Sequence, residues 1–192
     1  MKIKRSVLAG LFVVALAPVL ALALIKPWRV AAPQLVSGVN CYDGGICTDD
    51  EQRLGEARAL YSAALARISE KAGAVHSRPR VIFCSASPCQ KGFGLGNRAA
   101  HTVGDFGIAV APRGWQTFYL AHELIHYRQA EEFGSIGMLW KPKWLIEGMA
   151  YSLSDDPRRP LAQPFESWRA QFESWNSPSH RAELWQAAKN LK

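Results

Sequence analysis

His122-Glu123-Leu124-Ile125-His126 is the stretch of this chain best suited to metal chemistry. On an α-helix, residues four apart stand one above the other, so both imidazoles can reach one ion. Glu123 is turned about 100° around the helix, where it can face a water without being a ligand. A catalytic zinc takes three protein ligands and keeps a fourth position open. The helix turn supplies two, and Glu147 in Trp144-Leu145-Ile146-Glu147-Gly148-Met149-Ala150 is the expected third. Among Trp144, Leu145 and Met149, a lone carboxylate is costly to bury unless it is paired or bound to a metal. Lys141, Lys143 and Arg128 are the competing partners.

Two helices must position these groups. Residues 115–133 contain no proline and no internal glycine, and Gly114 and Gly134 bracket them. Phe118, Leu124 and Ile125 are expected to face inward, with Arg128, Glu131 and Glu132 facing water. Pro142 suits the first turn of a following helix, and Asp155-Asp156-Pro157 would end it.

HELIH followed by WLIEGMA resembles the gluzincin zinc metallopeptidases, the clan of thermolysin and the zinc aminopeptidases. The resemblance covers residues 106–153. It implies Zn2+ held by His122, His126 and Glu147, with Glu123 as general base for hydrolysis of a peptide or protein substrate. It also implies a donor to the oxyanion. Tyr151, four residues after Glu147, is the named candidate, and Tyr127, Tyr119, His101 and His180 are the alternatives. The implied fold is α+β, a small zincin-like domain with a short mixed sheet, the HExxH helix, the glutamate helix and a helical C-terminus. Residues 106–111, just before the HExxH helix, resemble the zincin edge strand, which pairs with an extended peptide. Glu132 stands where a metzincin would place a third histidine, and the inverted HxxEH order is absent. The chain is shorter than the larger gluzincins, which have a full additional domain. A non-catalytic zinc-binding envelope scaffold or assembly factor is therefore the alternative function, and a metal-free structural domain is a third.

The start of the chain bears on compartment. Met1-Lys2-Ile3-Lys4-Arg5 is a basic cap, and residues 6–25 carry no charge, about the length of a bilayer core. The expectation is a single-pass inner-membrane anchor with a periplasmic or extracytoplasmic domain. Cleavage after Ala21-Leu22-Ala23 would instead give a secreted or periplasmic protein. Four cysteines allow three connectivities, and in an oxidising compartment the local pairs Cys41–Cys47 and Cys84–Cys89 are expected. A four-cysteine zinc site would need CxxC spacing, which is missing.

Beyond residues 1–25, residues 26–48 read as a juxtamembrane linker and 49–192 as the metallopeptidase domain. Asp49 or Asp50 can cap a helix running to about Lys71, with Leu54, Ala57, Leu60, Tyr61, Ala64, Leu65 and Ile68 on its inner side. Val81 to Cys84 reads as a buried strand, and residues 90–105 as a glycine-rich loop near the site. Gly92-Phe93-Gly94-Leu95-Gly96-Asn97 lacks the spacing of a nucleotide loop. The net charge of +7 includes three basic residues in the first five positions. With no arginine run or nucleic-acid signature, nucleic acid is not an expected partner. Phe165, Trp168, Phe172 and Trp175 form a helical aromatic stripe, and a last helix is expected from about Ser177 to Leu191.

Overall fold

The computed structural model describes residues 25–178 and 183–191. Strands β1 (Asn40–Tyr42), β2 (Ile46–Thr48), β3 (Val81–Phe83), β4 (Ala100–Val103) and β5 (Gly107–Val110) form one mixed sheet in the order β1-β2-β3-β5-β4. β2, β3 and β5 run parallel, while β1 and β4 pair antiparallel with their neighbours. Helices α1 (Leu54–Ala72), α2 (Ser87–Gly92), α3 (Thr117–Phe133), α4 (Lys143–Leu153), α5 (Phe165–Trp175) and α6 (Leu184–Asn190) complete the α+β arrangement.

β3 and β5 are apolar throughout because both faces of the sheet are covered. Val81, Phe83, Ile108 and Val110 join Ala57, Tyr61 and Ile68 of α1 and Leu124 of α3 in one core. Ile82 and Ala109 point the other way, onto Val30, Val36, Cys84 and Phe93. Much of that second layer comes from residues 26–48, which were expected to be a linker. Val30 is fully buried there, and the same segment supplies β1 and β2. Asp50 accepts a hydrogen bond from the Gln52 backbone N–H at 3.0 Å and starts the turn that leads into α1.

Both expected disulfides are present, Cys41–Cys47 across the β1–β2 pair and Cys84–Cys89 between the end of β3 and α2. They fit an oxidising, extracytoplasmic setting. The single-pass inner-membrane expectation is corrected: among the described residues, no helix is long and apolar enough to cross a membrane. Residues 6–24, which carried that expectation, lie outside the described residues, as does His180.

β5 is not the sheet edge expected of residues 106–111. It is paired on both sides, with β3 and with β4. The supposed loop at residues 90–105 folds back after Arg98, and its last part becomes β4, the true edge. A second correction concerns α3. Arg128 does not face water but is 5% exposed. It pairs with Glu131 and Glu132 and lies 5.0 Å from the Trp185 ring, tying α3 to α6. Glu131 also accepts from the backbone N–H groups of His76 and Ser77, at 3.0 and 2.8 Å.

The α4–α5 contact depends on a glycine. A Cβ at Gly148 would lie 2.2 Å from the Trp168 carbonyl oxygen and 3.0 Å from the Phe172 Cβ. The aromatic stripe of α5 thus packs directly on the backbone next to Glu147. Gly148→Ala is expected to destabilise the fold by about 1–3 kcal/mol through overpacking. Thermal unfolding measures this, and an unchanged Tm would show that the helices do not meet so closely.

Candidate metal centre

α3 presents His122 and His126 on one face, over the fully buried Leu124 and Ile125 on the other. Their Nε2 atoms are 3.1 Å apart. Glu147 enters from α4, with Oε2 3.8 Å from His122 Nε2 and 3.7 Å from His126 Nε2. α4 is held against α3 by Leu145, Met149 and Ala150, all fully buried. For zinc bonds of 2.0–2.1 Å, the edge of a ligand tetrahedron is about 3.3 Å. The three donor atoms are already close to that spacing, so His122, His126 and Glu147 form a group that could hold a metal ion.

A glutamine that carries no motif signal orients one of these ligands. Gln129 is fully buried, and its Nε2 donates to the Ile146 carbonyl at 3.0 Å. That fixes the amide, so Oε1 faces His126 Nδ1 at 2.9 Å and must accept its proton. The His126 Nε2 is thereby turned towards Glu147 and His122, where it carries a proton or, once deprotonated, can serve as a ligand. His122 is braced on its other side by Tyr151, with ring centroids 4.4 Å apart.

The electrostatics favour a cation between these groups. Burial, reinforced by His126, pushes the His122 pKa down to about 4. Burial also opposes charge on His126, but the Glu147 carboxylate overcomes it and holds that pKa up at about 9. Glu147 itself is lowered despite burial by the two imidazoles. The carboxylate thus stabilises positive charge at His126, whether carried by a proton or by a metal.

Glu123 lies beside this group and is not part of it. Thr102 of the edge strand β4 places its hydroxyl 2.7 Å from Glu123 Oε2 and 2.9 Å from the Glu123 carbonyl, sharing one proton between them. These groups line a recess of about 410 Å³ that also takes in His101, Tyr151, Met138 and Phe165. A larger recess of about 650 Å³ near the C-terminal end of α1 contains none of the metal-ligating group. Chemistry, and not size, therefore identifies the site.

The other oxyanion candidates separate by position. Tyr151 and His101 line the recess, and Tyr119 lines an adjoining one. Tyr127 is turned away, with its hydroxyl 2.9 Å from Ser77 Oγ. Thr102, Gln129, Met138 and Phe165 were not anticipated. Gln129 sits one helix turn after His126, a spacing that could have flagged it. The chain matches no family model, and no significant match is found among curated proteins or solved structures.

Proposed function

We propose that the protein is a gluzincin-like zinc hydrolase that cleaves peptide bonds. The observation that carries this reading is Glu123, held by Thr102 beside the His122/His126/Glu147 group at the edge of the sheet formed by the described residues. His122, His126 and Glu147 would hold the metal. Zinc, when bound, supplies the Lewis acidity that makes water a nucleophile near neutral pH and polarises a carbonyl. Glu123 takes the water proton on its carboxylate and returns it to the leaving amine. Thr102 keeps that carboxylate aimed into the recess. The Tyr151 hydroxyl donates to the oxyanion of the substrate carbonyl. Among the described residues β4, and not β5, has a strand on one side only, so it is the strand that can offer backbone N–H and C=O groups to an extended peptide.

Incubating the purified full chain with zinc and a diverse peptide library tests this reading by mass spectrometry. Zinc-dependent cleavage, abolished by a chelator and restored by zinc, is expected. Zinc uptake without any cleavage would instead support a non-catalytic zinc-binding scaffold. Thr102 is a positioning residue in this scheme. Thr102→Val is expected to lower kcat about 10–100-fold, the usual effect of losing an outer hydrogen bond at a metal site. KM and zinc content should change little, and Thr102→Ser should recover most of the rate. An equal loss in Thr102→Ser would assign the residue to β4 packing.

A further inference from the structure

A third recess, of about 240 Å³, opens at the start of β4 and shares Arg98, Ala100, His122, Glu123 and Tyr151 with the recess at the candidate metal centre. Three arginines line it, Arg98, Arg113 and Arg158, against a single carboxylate, Glu123. Arg158 is fixed in place. Its Nε lies 2.9 and 3.1 Å from the two carboxylate oxygens of the buried Asp156, and its guanidinium is 4.9 Å from the Tyr119 ring centre. Asp156 compensates that charge. Arg113 donates to the Asn97 carbonyl. Among the described residues, neither Arg98 nor Arg113 has a carboxylate partner. Two uncompensated guanidiniums at the mouth of a recess make a local positive field, and their planar forks match a carboxylate.

Direction follows from the sheet. A peptide added antiparallel to β4 runs from the Gly104 end towards Ala100, so its C-terminal part reaches this recess. The geometry points to a carboxylate-binding subsite formed by Arg98 and Arg113 for the portion of a peptide on the C-terminal side of the scissile bond. The inference rests on the hydrolase reading and names its substrate class. Substrates carry a carboxylate just beyond the cleaved bond, either a free C-terminus or an aspartate or glutamate side chain. Arg158 walls the subsite and stacks over Tyr119, while Glu123 stays turned towards Thr102.

Binding of dansyl-labelled peptides to the full chain, with metal removed so that no turnover occurs, tests the subsite by fluorescence anisotropy. One pair is tetra-alanine with a free C-terminus and its amide. The other is Ala-Ala-Glu-Ala amide and its glutamine counterpart. In at least one pair the acid is expected to bind tenfold or more tightly than the neutral partner, and the pair that discriminates identifies the carboxylate source. The Arg98→Gln/Arg113→Gln double variant should reduce that ratio below threefold. A ratio below threefold in both wild-type pairs overturns the subsite and needs no variant to interpret. Full discrimination in a folded double variant overturns the assignment to these arginines. The same peptides given to zinc-loaded protein separate the two readings. Cleavage without discrimination removes the subsite and keeps the hydrolase, whereas discrimination without cleavage does the reverse.

Discussion

Glu123→Gln is expected to leave one zinc bound per chain while lowering peptide hydrolysis by about a thousandfold, within the range for loss of a general base. The two side chains have nearly the same shape. The glutamine oxygen can still accept the Thr102 hydroxyl, now 2.7 Å from Glu123 Oε2, so the turn and strand should stay in register. What disappears is the group that takes a proton from water. Zinc content by elemental analysis and kcat/KM on a cleaved library peptide measure the two effects separately. Undiminished turnover would remove Glu123 from the chemistry, and loss of zinc would make it a ligand.

His126→Ala is expected to have the largest effect on the metal. It deletes one of the three proposed ligands and the donor side of the Gln129 tether, and leaves Glu147 with only one of its two imidazole partners. The fall in zinc affinity should exceed the roughly 10–100-fold loss typical of outer-shell changes. Gln129→Leu should show that smaller loss, because His126 remains but its tautomer and ring orientation are no longer fixed. Zinc titration against a competing chelator ranks the three proteins. Full occupancy in His126→Ala, or a Gln129→Leu defect as large as that of His126→Ala, would contradict the assigned roles.

The parts of the centre that were legible in the sequence are those fixed by local spacing. Two histidines four apart meet on any helix, Glu147 sits in a short helical motif, and each disulfide closes a turn of a few residues. What was misread depends on distant partners. β4 has His101 and Thr102 at its centre because they face the recess, and that polarity hid a strand inside a glycine-rich stretch. The unbroken apolar run of β5 suits a strand covered on both faces, so it sits inside the sheet and not at the edge. Arg128, Glu131 and Glu132 resemble a solvated helix face. Contacts with Trp185, with Lys189 and with the His76-Ser77 backbone turn them into a buried tether. Gln129 stands one helix turn after His126, but its orienting role is fixed only when Ile146 arrives from α4. Residues 26–48, rich in proline and glycine, read as a linker, yet their valines cover one face of the sheet.

Anomalous diffraction at the zinc edge, from crystals of the full chain grown with zinc, tests the metal centre most directly. One peak is expected within bonding distance of His122 Nε2, His126 Nε2 and the Glu147 carboxylate, with Glu123 close by but not bound. No peak at that position in a zinc-replete crystal, or a peak in which Glu123 replaces Glu147 as ligand, would contradict the account.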